Sequence, residues 1–234
     1  MPVLHLIPNT LGSRNPLEVV AATAIEALRG CDRMIVESDR FARRFLKDAF
    51  PDENPQSKQS FLLNEHTTPE DLVDLIQWFK SDSDIALLSD AGAPAVADPG
   101  AAAVRMAHNA GWSVKPHAGP SSILLALMAS GMNGQQFAFK GYLPRDGSIR
   151  ERIWKEMKEG LQRRKETQIF MEPPYRNNQA LKDCLNALPA EQQLCVAVDL
   201  TLETEWICSQ PIEKWKKSTL PNLDKRPCLF LIGH

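Results

Sequence analysis

The sequence lacks several features that mark common classes of protein. No stretch of the 234 residues approaches the ~18 apolar residues of a membrane span. The first residues, MPVLHLIPNT, have neither the basic start nor the long apolar run of a secretory signal. The five cysteines are scattered without a CxxC pair, which argues against a disulfide framework and against a zinc site. We therefore expect a soluble, cytoplasmic protein with reduced thiols and no metal.

Excess positive charge and the usual nucleotide-binding signatures are also missing. A formal net charge of -2 gives no overall attraction to nucleic acid or to an anionic membrane, so a polyanionic partner would have to meet a local basic patch. Neither GxGxxG after the first strand nor GxxxxGK[ST] occurs. These absences exclude a Rossmann-type dinucleotide site and a P-loop.

What the chain does have is an alternation of strand and helix patterns. In the first half this alternation predicts a mostly parallel sheet with helices on both faces, and in the second half strands outnumber helices, which predicts a mixed sheet. We expect two α/β domains, residues 1–117 and 118–234. The predicted elements include a helix over Pro16–Arg29, and Pro51–Ser60 is expected to be an exposed polar loop.

The most informative segment is IALLSDAGAPAVADPG, residues 85–100. Its apolar start predicts a buried strand, and the glycines and prolines that follow predict a stiff, sharply bent loop. Asp98 and Pro99 resemble an N-cap and a first helical residue, which predicts a helix over Gly100–Asn109. A connection that only packs is the alternative interpretation of this loop.

Two further loops follow predicted strands, at Pro8–Ser13 and at Ala118–Ser122. The serines of the second, Ser121 and Ser122, can cap the next helix and leave its first N–H groups free for a ligand. Three such loops at the carboxyl ends of parallel strands would line one cleft.

Six motifs now carry a resemblance: LIPNTLG, SDAGAPAVADPG, AGPSS, GYLPR, IFMEPPYR and FLIGH. In this order and spacing they resemble the tetrapyrrole methylase superfamily of S-adenosylmethionine-dependent methyltransferases. Within it they are most similar to the family (RsmI/YraL) that methylates the ribose 2′-oxygen of a cytidine in small-subunit ribosomal RNA. The resemblance covers essentially the whole chain. It implies two α/β domains, a homodimer and S-adenosylmethionine as the methyl donor.

Carried over position by position, the resemblance implies a set of donor contacts: Pro8, Gly92, Ala93, Pro94, Val96, Ser122, Ile123 and Met171. Asp90 is expected either to orient its loop by accepting backbone N–H groups or to face the donor.

The chain also departs from the family where an RNA would be held. EDTR becomes Glu37-Ser38-Asp39-Arg40, HDHN becomes Asn64-Glu65-His66-Thr67, and ARELTK becomes residues 197–202, AVDLTL. The last two changes remove positive charge that could contact phosphate. The remaining substrate-binding candidates are Arg40, Arg150 and Arg176.

Three residues are candidates for proton transfer. His66 has a side chain that titrates near neutrality, although an ordinary loop histidine is the alternative. Glu37 and Glu172 each follow a predicted strand, and each is equally a candidate for a structural ion pair.

Three functions remain open at this point. The first is methylation of ribosomal RNA on a ribose hydroxyl. The second keeps the donor and changes the acceptor to a small molecule, a tetrapyrrole or a peptide, in line with the acidic net charge and the lost basic residues. The third is a module that binds S-adenosylmethionine and catalyses nothing, since no unmistakable general base is present.

Overall fold

A computed structural model describes all 234 residues, Met1–His234. The chain forms two compact units, unit 1 over Met1–Ser121 and unit 2 over Ser122–His234. Each unit contains one five-stranded sheet, and the two sheets differ in strand direction. The α/β fold with one parallel and one mixed sheet is confirmed.

Unit 1 is an all-parallel sheet in the order β3-β2-β4-β1-β5. Its strands and helices, in chain order, are β1 Val3–Ile7, α1 Pro16–Val19, α2 Ala22–Gly30, β2 Arg33–Val36, α3 Asp39–Ala49, β3 Gln59–Leu62, α4 Pro69–Trp78, β4 Ile85–Leu88, α5 Ala101–Asn109 and β5 Ser113–Pro116.

Helices cover both faces of this sheet. Along β2, Met34 and Val36 pack with α2 and α3, whereas Ile35 between them packs with α4 and α5. All four residues of β4 are buried, because this strand lies in the middle of the sheet between two helical layers. The strand ends are therefore the accessible edge of unit 1.

Two predictions for unit 1 are corrected. The helix predicted over Pro16–Arg29 is broken at Val20 and Ala21, which adopt extended backbone angles. The N–H of Ala21 donates to the carbonyl of Ala118 at 3.3 Å, so a tertiary contact takes the place of a helical one.

The predicted exposed loop Pro51–Ser60 is wrong at its end, where Gln59 and Ser60 enter edge strand β3. Lys58 just before them is buried, and its Nζ donates to the carbonyls of Arg29 and Cys31 at 3.0 and 2.6 Å. The ammonium group thus satisfies carbonyls at the end of α2.

Unit 2 is a mixed sheet in the order β6-β7-β10-β8-β9, in which only β6 and β7 are parallel. Its elements are α6 Ser122–Ser130, β6 Phe137–Tyr142, α7 Gly147–Glu159, β7 Thr167–Met171, α8 Asn177–Ala187, β8 Gln193–Val198, β9 Trp206–Pro211, α9 Ile212–Lys217 and β10 Cys228–Gly233. A turn of π-helix over Gly160–Arg164 follows α7, and a short 3-10 turn, Pro174–Arg176, precedes α8. No helix in either unit combines the length and the apolar character needed to cross a bilayer.

Candidate active site

The topology of unit 1 marks one place at the carboxyl edge of its sheet. The connection after β1 leads to β2 on one side, and the connection after β4 leads to β5 on the other side. Strands β1 and β4 are neighbours with Ile7 opposite Leu88, so two loops leave adjacent strands in opposite directions. Such a switch point opens a crevice, which is where parallel α/β sheets bind their ligands.

The two loops at the switch point are joined by backbone hydrogen bonds. The N–H of Asn9 donates to the carbonyl of Gly92 at 2.9 Å, and the N–H of Gly92 donates back to Asn9 at 3.1 Å. This isolated antiparallel bridge links the first loop to the glycine-rich loop. Gly92 has φ +71°, a conformation in which a side chain is strained, so the bridge depends on glycine.

The Asn9 side chain strengthens this bridge. Its Nδ2 donates to the carbonyls of Ser89 and Asp90 at 2.9 and 3.2 Å, while its Oδ1 accepts from the N–H of Thr10 at 2.8 Å. Asn9 is thus the central residue of the switch point, and the sequence analysis did not single it out. Asparagine directly after a strand commonly bonds nearby backbone, which is the signal that was available.

The glycine-rich loop is held in an unusual backbone conformation beyond Gly92. Ala95 and Ala97 have φ near +64° and +63°, a region that costs a non-glycine residue roughly 1–2 kcal/mol. The Asp98 carboxylate accepts from the N–H of Ala95 at 2.9 Å and from the N–H of Gly100 at 2.7 Å. The loop is therefore cross-braced by its own aspartate.

This bracing corrects the predicted helix start. Asp98 does not cap α5, because α5 begins at Ala101 with Gly100 at the N-cap position. The carboxylate instead bonds N–H groups inside the loop, and its burial raises its pKa.

The third loop packs directly on the first. A Cβ added at Gly119 would lie 2.4 Å from the Cβ of Pro8, so only glycine lets the two loops approach this closely. Pro8 is buried, and Ser121 is partly exposed at the end of unit 1. Pro8, Gly92, Ala93 and Pro94 are brought together with Asn9 at this edge.

An acidic cleft of about 670 Å³ lies beside the glycine-rich loop. Its lining includes Glu37 after β2, the segment Asn64–His66 after β3, and Ala97–Pro99. The structure thus brings two of the three proton-transfer candidates, Glu37 and His66, to one cleft. The His66 side chain is 84 % exposed there, and it forms a salt bridge only with Glu65, with Nε2 and Oε1 3.6 Å apart.

Asp90 lies next to this cleft at the end of β4. The carboxylate of Glu37 accepts the N–H of Asp90 at 3.2 Å, which ties the ends of β2 and β4 together. Burial, with the negative charge of Glu37 as the second cause, raises the pKa of the Asp90 carboxyl to about 6. No cation forms a salt bridge with Asp90 that would offset this rise.

The arginines near the start of α3 are only partly available to a ligand. Arg43 is largely buried and bonds the carbonyls of Pro55 and Lys58 and the hydroxyl of Ser60. Arg40 is exposed and forms no salt bridge. Of the two, only Arg40 presents its guanidinium group to solvent.

In unit 2 the three remaining charged candidates form a single ion-pair network. The Glu172 side chain is fully buried, and its Oε1 lies 2.5 Å from Nη1 of Arg150 and its Oε2 3.3 Å from Nε of Arg176. Arg150 also contacts Asp183 at 3.0 Å. The network occupies the charges of all three candidates, whose predicted functional roles stay predictions. Met171 directly precedes Glu172 at the end of β7, and Ser122 and Ile123 begin α6.

Comparison with known proteins agrees with this geometry. Residues 16–215 match the family described as Tetrapyrrole (Corrin/Porphyrin) Methylases. The chain belongs to the tetrapyrrole methylase family. Membership confirms the resemblance and identifies a methyltransferase by family and fold.

Named relatives and solved structures extend the comparison. The chain is 31% identical to a Ribosomal RNA small subunit methyltransferase I of Vibrio cholerae over 90% of this chain and 69% of that protein. It is 34% identical to the protein of that name from Bacillus subtilis over 88% and 66%. The chain thus spans about two thirds of the length of these relatives. Among solved structures, the fold is shared with diphthine synthase (TM-score 0.69, 16% identity, 99% and 89% covered) and with the methyltransferase CobJ (0.67, 13%, 100% and 95%).

Proposed function

We propose that this tetrapyrrole methylase transfers the methyl group of S-adenosylmethionine to the ribose 2′-oxygen of a cytidine in small-subunit ribosomal RNA. The observation that carries the donor assignment is the bridge between Asn9 and Gly92 at the switch point of the parallel sheet. The acceptor assignment is supported by the name that the relatives share.

The glycine-rich loop fits the methyl donor. The donor is a zwitterion with an adenine ring, so it needs free backbone polar groups beside apolar walls. The N–H of Ala93 donates to no group of the protein, and Pro94 beside it fixes the backbone. On unit 2 the expected donor contacts remain Ser122, Ile123 and Met171.

For methyl transfer, the protein has to position the acceptor hydroxyl against the methyl group and to remove one proton. The sulfonium of the donor supplies a methyl group that is already activated. Burial and the charge of Glu37 raise the pKa of Asp90 to about 6, which suits a general base at neutral pH. We therefore propose Asp90, supported by Glu37, as the group that accepts the hydroxyl proton. Glu172 is unsuited to this task because two arginines hold its carboxylate.

The two units differ in net charge, and this difference favours an RNA substrate. Unit 1 holds 11 basic and 16 acidic residues, a net charge of -5, whereas unit 2 holds 16 basic and 13 acidic residues, a net charge of +3. The positive net charge of unit 2 supports attraction to a phosphate backbone. An RNA substrate in turn implies a cytoplasmic location.

One observation favours a different acceptor. Glu37, Glu65 and Asp98 line the cleft beside the glycine-rich loop, and such a surface repels phosphate. The second candidate is therefore the same transfer to a small or cationic acceptor, such as an amine-bearing peptide.

Donor binding is tested by isothermal titration of S-adenosylmethionine into the wild type, Gly92→Ala and Gly92→Leu. Since Gly92 has positive φ and a Cβ there would lie 3.3 Å from Leu11, we expect weaker binding with alanine and none with leucine. Gly134→Ala is the matched control, because nothing lies within 4 Å of the added Cβ. Unchanged affinity in Gly92→Leu contradicts the donor site.

The acceptor is tested by mapping ribose methylation in small-subunit RNA from a deletion strain. We expect one 2′-O-methyl cytidine to disappear and to return when purified enzyme and donor are added to the isolated subunits. An unchanged map contradicts the RNA assignment and favours the second candidate. Light scattering on the same preparation tests the homodimer that the family implies.

A further inference from the structure

A second, smaller cavity lies on the other side of the switch point. It has a volume of about 210 Å³ and runs between the first loop, Asn9–Ser13, and helix α3. Asp90 and Ala91 also line it. We call this cavity the α3 pocket. Neither the motifs nor the family resemblance assigns it a ligand.

One face of α3 supplies the opposite wall. Phe41, Arg44, Phe45 and Asp48 are spaced so that they share one side of the helix. Phe45 is buried in the core, but Phe41 remains 43 % exposed. A flat aromatic face at the edge of a pocket is the surface on which a splayed nucleobase stacks.

Asp48 places a carboxylate in the same pocket. Its side chain is only 13 % exposed, and its cationic neighbours are held loosely, with Nη2 of Arg14 at 3.4 Å and Nε of Arg44 at 3.7 Å. Both distances exceed those of a strong charged hydrogen bond, about 2.7–2.9 Å. The carboxylate therefore keeps acceptor capacity for a donor group in the pocket, and aspartate accepts from the exocyclic amine of cytosine.

The size and position of the pocket limit what it can hold. A cavity of about 210 Å³ is below the ~300 Å³ at which pockets for whole drug-sized ligands begin, so it suits one ring system rather than the entire methyl donor. Two of its lining residues, Asp90 and Ala91, directly precede Gly92 in the chain. A base in the pocket would thus bring its ribose to the loop that we assign to the donor.

We propose that the α3 pocket binds the amine-bearing nucleobase of the acceptor nucleotide, with the ring stacked on Phe41 and the exocyclic amine donating to Asp48. This inference rests on the proposed methylation of a nucleotide in RNA. It adds the residues that select the base, which must leave its helical stack to enter a pocket of this kind.

Direct binding tests the pocket without relying on methyl transfer. We would titrate CMP and UMP into the protein saturated with S-adenosylhomocysteine and follow ligand signals by saturation-transfer NMR. We expect CMP to bind at least 10-fold more tightly than UMP, Phe41→Ala to abolish CMP binding, and Asp48→Asn to remove the preference for CMP. A merely structural role of Asp48 would not change this preference. Val73→Ala and Asp74→Asn, both exposed on α4, are the matched controls.

Two further measurements separate the possible outcomes. In transfer assays on small ribosomal subunits, Phe41→Ala is expected to raise the KM for the subunit about 10-fold or more while the Kd of S-adenosylmethionine stays unchanged. A weakened Kd for the donor with an unchanged KM would assign the pocket to the adenine of the donor and overturn the proposal. Absence of CMP binding by the wild type overturns it as well. Selective CMP binding without any methyl transfer to RNA would leave the pocket in place and refute the proposed acceptor instead.

Discussion

Replacing Asp90 by asparagine should make the protein more stable and at the same time inactive. Asp90 ends β4 beside Glu37, and no cation forms a salt bridge with it. Burial and the negative charge of Glu37 raise its pKa from 3.8 to about 6, so the folded state opposes ionisation of this group. Asparagine keeps the shape of the side chain and removes the charge.

The size of the effect follows from this pKa. A rise of about 2 pH units corresponds to an upper limit of about 3 kcal/mol, at 1.36 kcal/mol per unit. Asp90 is partly exposed, so solvent screening reduces this to about 1 kcal/mol. Because the folded-state pKa is raised, the wild type has this stability in full below about pH 4 and loses it as the pH rises through about 6.

Urea unfolding followed by tryptophan fluorescence measures this difference. At about pH 7.5 we expect Asp90→Asn to be about 1 kcal/mol more stable than the wild type, and near pH 4 the two should coincide. Methyl transfer should fall about 100-fold or more if Asp90 accepts the proton. Asp74→Asn, on the exposed face of α4, is the control and should change neither property.

Two results would refute the reasoning. A stability gain that does not depend on pH would show that the charge of Asp90 is not its cause. Full activity of Asp90→Asn would remove Asp90 from proton transfer, even if the stability gain is found.

Three further substitutions test the structural supports of the site. Gly119→Ala should lower the free energy of unfolding by about 1–3 kcal/mol and weaken donor binding, because the added Cβ would lie 2.4 Å from the Cβ of Pro8. Calorimetry measures both effects, with Gly134→Ala as the control. Wild-type stability would contradict the close approach of the two loops. Glu172→Gln should cost about 3 kcal/mol in urea unfolding, because it leaves the largely buried Arg176 without an ionic partner and Arg150 with Asp183 alone. An activity loss without a stability loss would favour a direct role. Ala95→Gly should change the free energy of unfolding by less than about 1 kcal/mol, because relief of the positive φ offsets the added freedom of the unfolded chain. In titration calorimetry it should weaken donor binding through a larger entropic penalty. Unchanged binding would show that loop stiffness is unimportant.

The buried strands of this fold could be predicted from the sequence because their signal is local. Ile85–Leu88 is a run of four apolar residues, and the strand has those bounds. The break at Val20 and Ala21 could not be predicted, because the N–H of Ala21 bonds the carbonyl of Ala118, almost a hundred residues away in the chain. The burial of Lys58 could not be predicted for a similar reason, because the two carbonyls that accept from its ammonium group lie at the end of α2.

The same distinction explains why the glycine-rich loop could be predicted from the sequence more readily than the α3 pocket. The donor loop is made by backbone geometry, and the residues that produce it, such as Gly92, Pro94 and Asp98, are neighbours in the sequence and visible as a motif. The role of Asn9 could not be predicted, because its side chain joins the first loop to the glycine-rich loop and the two are distant in the sequence.

The acceptor end depends instead on side chains that meet only after folding. Phe41 and Asp48 look like ordinary members of an amphipathic helix until the first loop packs beside them, and Asp90 looks like a turn residue until burial and the charge of Glu37 raise its pKa. A site of this kind can change its specificity by single substitutions on α3 while the backbone of the donor loop stays the same. If the α3 pocket selects the acceptor base, substitutions there are expected to change the acceptor without changing donor binding, so measurements on α3 rather than on the loop identify the acceptor.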